Sequence, residues 1–179
     1  MKKMMMTLAA VFCCAMTMSV FSACGDDENE QKPDKPVACC MEYLFSVTSQ
    51  DLFKNVDFTV DYYDAEGKVQ SERMVNELWT DTIKAKLPGK LGARVKMKLK
   101  DGANPASIDS FKISYTFRIY TYVLTADGKK KTNHLESGMP SREIKGSKVP
   151  GWVEENPVIK EASFGYSFDA DGNYTNTGF

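Results

Sequence analysis

Hydrophobic and polar residues alternate with a period of two along most of the chain beyond residue 40. Successive side chains of a β-strand point to opposite faces, so this alternation predicts strands that are buried on one face and solvated on the other. We predict strands at residues 41–48, 56–62, 69–75, 79–87, 91–99, 110–125, 162–168 and 174–179, with Glu143–Lys145 as a candidate for one more short strand. No stretch shows a convincing amphipathic helical pattern, so the chain is predicted to be all-β.

Two of the predicted strands carry a second feature. The polar face of 91–99 is basic, with a cation at every second position from Arg94 to Lys100. Such a face is either a ligand patch or a solvated surface whose lysines discourage edge-to-edge pairing. The polar face of 110–125 turns apolar at Tyr120 and Tyr122. We therefore expect the far end of this strand to be covered on both faces, by a later segment or by a partner.

Three turns share an Ala–acid–Gly sequence, at residues 64–67, 125–128 and 169–172. Glycine readily adopts the positive φ that tight hairpin turns need, so each turn is predicted to join two strands. Residues 169–173 also resemble part of a calcium-binding loop, but the glycine stands at the fourth position instead of the sixth, which favours the hairpin. The irregular spacing of the turns argues against a repeat architecture.

The fold class follows from these elements. Strands of unequal length, interrupted by a Gly- and Pro-rich segment at 129–157, favour an immunoglobulin-like or transthyretin-like β-sandwich of about seven to nine strands. A closed β-barrel is the alternative. An irregular segment of this length is uncommon in a compact domain unless it is functional or mobile.

Composition narrows the range of partners. The chain has 23 basic and 24 acidic residues, and its first 23 residues hold two lysines and no acid. The remainder is therefore mildly acidic, whereas a nucleic-acid-binding domain is strongly basic, so no nucleic acid is predicted as a partner. Cys39 and Cys40 are adjacent and point to opposite faces of a strand. We expect one of these thiols to be buried and the other more exposed.

Catalytic and metal sites have little support in the sequence. His134 is the single histidine, which excludes a metal cluster built on histidines and leaves a Ser-His-Asp triad dependent on this residue. The chain has neither a Gly-x-Ser-x-Gly motif nor a phosphate-binding glycine loop. A hydrolase that uses two carboxylates stays open as an alternative. We predict no enzymatic activity, no metal and no cofactor.

Aromatic side chains are the candidates for ligand binding. Trp152 follows Pro150 and Gly151 in the irregular segment, where an indole can stack on a sugar ring or anchor a protein partner. Tyr120 and Tyr122 would extend this platform if the segment lies over the end of their strand. The alternative is that Trp152 folds back as a lid on the sandwich. Trp79 lies in an alternating strand and is predicted to be in the core.

The N-terminal residues follow a different pattern. Two lysines precede the uncharged, apolar or small residues 4–20, and Phe21–Cys24 ends the run. This is the anatomy of a secretory signal peptide. The sequence around Cys24 resembles the lipobox of bacterial lipoproteins, which usually have Leu where Phe21 stands. The resemblance implies removal of residues 1–23 and acylation of Cys24, which would hold the protein to a lipid bilayer; an uncleaved transmembrane anchor is the alternative.

The residues after Cys24 give a more specific address. The acidic run at 26–30 resembles the export signal of Bacteroidetes lipoproteins displayed on the outer membrane, so surface exposure is favoured over the periplasmic side. Residues 24–37 are predicted to be an acidic, proline-containing tether, and residues 38–179 a single domain. Asp81-Thr82-Ile83 resembles the O-glycosylation acceptor of exported proteins in that lineage. Thr82 is therefore the predicted glycosylation site.

The sequence as a whole predicts a membrane-anchored envelope lipoprotein that acts as a non-catalytic binding module for a glycan or a protein. A structural, adhesion or fimbria-associated assembly subunit is the alternative, and it requires an exposed, unpaired edge strand or an open groove. The less favoured hydrolase requires two buried acids with perturbed pKa values in a cleft.

Overall fold

A computed structural model describes residues 35–179, apart from the side chains of residues 132 and 133. Cys24, the signal peptide and residues 24–34 of the tether lie outside the described residues. The strands are β1 (Pro36–Val47), β2 (Val56–Tyr63), β3 (Val69–Arg73), β4 (Leu78–Lys86), β5 (Gly89–Leu99), β6 (Ser110–Thr125), β7 (Lys130–Gly138), β8 (Ser141–Lys145), β9 (Val158–Phe168) and β10 (Tyr174–Asn176). The helices are α1 (Gln50–Asn55) and α2 (Val149–Glu155), with short 3-10 turns at Pro105–Ser107 and Gly146–Lys148. Within residues 35–179, neither helix has the length and apolar character needed to cross a bilayer.

The strands form two antiparallel sheets. Sheet 1 has the order β4-β1-β6-β7, and β8 pairs with the first part of β6. Sheet 2 has the order β10-β9-β5-β2-β3. The predicted all-β sandwich is confirmed, and because residues 35–179 form two separate sheets, the closed-barrel alternative is wrong for this part of the chain.

The core lies between the sheets, where the alternating positions meet. Phe45 of β1 packs against Phe58 of β2 with ring centroids 5.9 Å apart, and Phe117 of β6 packs against Phe164 of β9 at 5.7 Å. Trp79 is 6% exposed, as predicted for a core residue. These contacts bury the apolar face of each strand, which is the main contribution to the stability of such a domain.

The three Ala–acid–Gly turns form the predicted hairpins, which join β2 to β3, β6 to β7, and β9 to β10. The φ angles are 74° at Gly67, 81° at Gly128 and 80° at Gly172. In the last turn Asp169 Oδ1 accepts the backbone N–H groups of Asp171 and Asn173, both at 2.9 Å. The aspartate oxygens thus stabilise the turn itself, in agreement with the hairpin prediction.

The segment at 129–157 is more regular than the sequence predicts. It contains β7, β8 and α2, so residues 35–179 hold ten strands where about seven to nine are predicted. The candidate strand Glu143–Lys145 is part of β8, whereas β7 is missed. β7 is an edge strand that begins with polar residues, so its alternation is too weak to detect. α2 has seven residues, too few to display a helical period.

Both cysteines of the described residues are buried, so the expectation of a more exposed thiol is wrong. Cys39 faces the core, and burial raises its pKa to about 11. Cys40 faces outward but lies opposite Tyr122 on the neighbouring strand, and only 2% of it is exposed. Tyr122 of β6 itself thus covers the second thiol, and a later segment reaches this face of the strand through the side chain of Lys130 on β7.

Candidate functional site

An interruption in the pairing of β5 and β9 shapes the candidate site. Ala93 pairs with Phe164 and Val95 pairs with Ile159, so one residue of β5 lies opposite four residues of β9, 160–163. We call these four residues the β9 bulge. Bulges bend a strand and re-aim its side chains, and they are common next to binding sites.

Two tyrosines of sheet 1 reach across the sandwich to hold the β9 bulge. The Tyr43 hydroxyl donates a hydrogen bond to the carbonyl of Ala162, and the Tyr115 hydroxyl donates to Glu161 Oε2 at 3.3 Å. Ser163 Oγ donates to the carbonyl of Ile159 at 2.7 Å. Burial, together with the charge of Glu161, raises the pKa of Tyr115 to about 12, so this hydroxyl keeps its proton at neutral pH. The bulge is therefore a fixed part of the fold.

Trp152 lies on α2, which follows the 3-10 turn at Gly146–Lys148 and packs against β5. The helix has a proline in its first turn, where a missing N–H costs nothing. At its end, Asn156 donates from both its backbone N–H (3.0 Å) and its side-chain amide (2.8 Å) to the carbonyl of Trp152. Trp152 is half-buried, and the guanidinium of Arg142 on β8 lies 5.1 Å from the centre of the indole. The indole is thus held between the core and a cation.

A pocket of about 200 Å³ lies between α2, β8 and the β9 bulge. At roughly 30 Å³ per water molecule it has room for about seven waters, or for one group of the size of a sugar ring. Its apolar lining comes from Met97, Ile113, Tyr115, Pro140, Trp152, Val158 and Ile159, and its polar lining from Ser141, Arg142, Asn156, Lys160 and Glu161.

The chemistry of the pocket suits a ligand with one apolar and one polar side. The indole of Trp152 and the ring of Tyr115 supply aromatic surface. Arg142 supplies N–H donors in a fixed plane, and the carboxylate of Glu161 supplies acceptors. Among residues 35–179, Arg142 has no carboxylate within ion-pairing distance, so its donors are free to bind a ligand.

Tyr120 and Tyr122 lie elsewhere. They are on the outer face of sheet 1, with ring centroids 5.1 Å apart, and the ammonium of Lys130 on β7 lies 4.0 Å from the Tyr122 ring centre and 5.3 Å from that of Tyr120. Tyr122 is only 7% exposed, and Tyr120 is half-buried. The structure brings these two rings together but does not place Trp152 with them, because the chain between β6 and α2 returns as β7 and β8.

Thr82 is exposed on β4, the edge strand of sheet 1. Its backbone N–H donates to Asp81 Oδ1 at 2.7 Å, and its exposed side chain lies on the polar face of the strand. The placement is compatible with glycosylation, which stays a prediction.

Among residues 35–179 one acidic side chain is buried, that of Asp61, whereas the hydrolase alternative requires two buried acids. Asp61 is buried, but it accepts hydrogen bonds from Arg94 Nε and Lys96 Nζ, both at 2.9 Å. Burial opposes ionisation, yet these partners and Ser71 together lower the pKa of Asp61. A general acid needs a raised pKa, so Asp61 has a structural role. Residues 35–179 contain no group of three or more His, Cys, Asp or Glu side chains that could hold a metal ion.

Sequence reasoning named Trp152 but missed the residues around it: Tyr115, Arg142, Asn156 and Glu161. Tyr115 carries the core-face pattern of its strand, and nothing in the sequence shows that its hydroxyl reaches the β9 bulge.

Comparison with models of protein families, with curated proteins and with solved structures gives no match for the chain.

Proposed function

We propose that the chain is a lipid-anchored envelope protein whose β-sandwich binds a glycan, without catalysis, in the pocket lined by Trp152. The observation that carries the proposal is the convergence of Trp152, Tyr115, Arg142 and Glu161 in one small, half-enclosed cavity. A sugar ring has an apolar C–H face that packs on an indole, and adjacent hydroxyls that both donate and accept hydrogen bonds. The pocket offers a partner for each.

The rigidity of the site also supports binding. The β9 bulge is held by hydrogen bonds from Tyr43 and Tyr115, and Trp152 is held by its packing and by Arg142. A site that is ordered before the ligand arrives loses less entropy on binding. The volume of about 200 Å³ fits one terminal sugar of a longer chain, with the rest of the glycan outside the pocket.

Strand addition by an assembly partner is less well supported. The edge strands β3 and β10 are short, with five and three residues. The longer edge strands β4 and β7 have nine residues each. β4 carries Lys84 and Lys86 and the charged, half-buried Asp81 on its inward side, and β7 begins with Lys130 and Lys131. Cations and inward-pointing charges are the features by which natural sheets prevent pairing with other chains. We therefore favour a binding role over a fimbria-associated assembly role.

The anchoring part of the proposal rests on the resemblance of residues 21–24 to a lipobox. It predicts acylation of Cys24 and a position on the outer membrane, with the domain on the cell surface. Protease treatment of intact cells should then remove the domain, and Cys24→Ala should release it from the membrane fraction. Retention of Cys24→Ala in the membrane would contradict the anchor.

The binding site is tested on a printed array of defined oligosaccharides, using the chain from residue 24 on with Cys24→Ala. Trp152→Ala and Arg142→Met should each weaken binding to the recognised glycans by about tenfold, which corresponds to ~1.4 kcal/mol. Tyr120→Ala is the matched control, because it removes a half-buried aromatic ring on the outer face of sheet 1. If Tyr120→Ala abolishes binding and Trp152→Ala does not, the pocket is not the site.

A further inference from the structure

A second and larger cavity opens at one end of the sandwich. It has a volume of about 1070 Å³, and it lies where β1 begins, β4 and β9 end, and the chain crosses from sheet 1 to sheet 2 into β5. The β2–β3 turn forms a further wall. We call this cavity the end cleft; it shares no residue with the pocket lined by Trp152.

The lining of the end cleft is apolar with a cationic rim. Val37, Ala85, Pro88 and Phe168 contribute apolar surface. The charged lining residues are Lys84, Lys86, Lys90 and Glu66. This chemistry fits an amphiphile with an anionic group, whose apolar part would lie on the floor while its charge meets the lysines.

The three lysines are available for a ligand. All three are exposed, and none forms an ion pair with a carboxylate of residues 35–179. Lys84 and Lys86 lie two positions apart on the outer face of β4, so their Cα atoms are roughly 7 Å apart and both ammonium groups can reach one phosphate. By contrast, Lys96 and Lys130 are each paired with an acidic side chain.

The position of the end cleft points to the source of the anion. Val37 and Ala38 line the cleft, so it lies at the end of the domain where the chain arrives from Cys24. Ten residues separate Cys24 from Lys35, so eleven residue-to-residue steps join them, and a chain of that length spans at most ~40 Å. If Cys24 is acylated, the cleft and its lysines stay within that distance of the bilayer.

We propose that the end cleft docks onto the bilayer by taking the phosphate headgroup of an anionic phospholipid, with Lys84, Lys86 and Lys90 as its cationic contacts. This inference rests on the lipid anchor of the proposed function but not on its glycan pocket. Docking would hold the domain against the membrane by the end of the sandwich that contains the end cleft, and it would leave the pocket of Trp152 accessible. A lysine next to an anionic surface contributes about fivefold to binding.

The test uses the chain from residue 24 on with Cys24→Ala, so that no acyl chain contributes. Sedimentation is measured with vesicles of phosphatidylcholine alone and with an equal mixture of phosphatidylcholine and phosphatidylglycerol. We expect binding only to the mixed vesicles, weakening as salt is raised. The triple variant Lys84→Gln/Lys86→Gln/Lys90→Gln should lose roughly 100-fold in partitioning. These side chains are exposed, so the variant should melt like the parent protein.

The matched control is Lys112→Gln/Lys145→Gln/Lys148→Gln, which removes the same charge from exposed lysines of β6, β8 and the 3-10 turn. It should keep most of the binding. Equal loss in both triple variants, or binding independent of phosphatidylglycerol, would overturn the proposal. The proposal would also be overturned if the Lys84→Gln/Lys86→Gln/Lys90→Gln variant lost its binding to acidic glycans on the array while its vesicle binding stayed unchanged. That result would assign the cleft to a glycan. Trp152→Ala should bind vesicles normally. A failure of the membrane-docking proposal therefore does not affect the proposal of a glycan pocket, and a failure of the glycan proposal does not affect membrane docking.

Discussion

Tyr43→Phe tests how the β9 bulge is held. Tyr43 is buried in β1, and its hydroxyl donates across the sandwich to the carbonyl of Ala162 in the bulge. The substitution keeps the ring and its edge contact with Trp79, whose centroid lies 5.3 Å away, so little packing is lost. It leaves one buried carbonyl without its donor, which costs about 1–3 kcal/mol. We therefore expect a loss of about 2 kcal/mol in the free energy of unfolding.

The assay is urea and thermal unfolding of the chain with Cys24→Ala. For a domain of this size each kcal/mol lowers Tm by roughly 2–4 °C, so Tyr43→Phe should lower it by roughly 4–8 °C. Tyr120→Phe is the control, because its ring is half-buried on the outer face of sheet 1, and it should change stability by less than ~0.5 kcal/mol. If the two variants melt together, the hydrogen bond from Tyr43 does not hold the bulge, and the reasoning about the site is refuted.

Three further predictions concern the rest of the domain. The pKa of Asp61 is lowered below its ordinary value of 3.8, so its charged form adds stability above that pH and the contribution is lost as pH falls through the folded-state pKa; Asp61→Asn should therefore destabilise at pH 7 in urea, and the difference from wild type should shrink below about pH 3. The thiols of Cys39 and Cys40 are buried, so an aromatic disulfide reagent should label them only on unfolding; rapid labelling of the native protein would contradict this packing. Gly146→Ala would place a Cβ 2.1 Å from the backbone oxygen of Pro105, so it should lower Tm by more than any other variant named here, and an unchanged Tm would contradict that contact.

The fold was predictable because its determinants are local. Alternation in β2, where Val56, Phe58 and Val60 are all fully buried, needs only the period of two. The hairpins needed only the Ala–acid–Gly turns, whose glycines take positive φ. Edge strand β7 was missed because an edge strand buries little apolar surface. The alternation of hydrophobic and polar residues along it is therefore weak.

The candidate site was much less predictable, because it depends on register. Lys160 and Glu161 line the pocket only because four residues of β9 lie opposite one residue of β5, and the sequence alone does not reveal that mismatch. Tyr115 has the pattern of an ordinary core residue. Trp152 could be named from its Pro-Gly context, but its neighbour Arg142 comes from β8, ten residues earlier, and only the three-dimensional structure brings the two side chains together.

The most direct test of glycan binding at the pocket uses the two tryptophans of the chain. Both are labelled with 5-fluorotryptophan and followed by ¹⁹F NMR while the strongest-binding oligosaccharide of the array is added. Trp152 lines the pocket, whereas Trp79 is buried in the core beside Tyr43 and Tyr62. We predict that the Trp152 resonance shifts with saturation while that of Trp79 stays in place. If neither resonance moves while binding is complete, or if only that of Trp79 moves, the glycan binds elsewhere and the central claim is wrong.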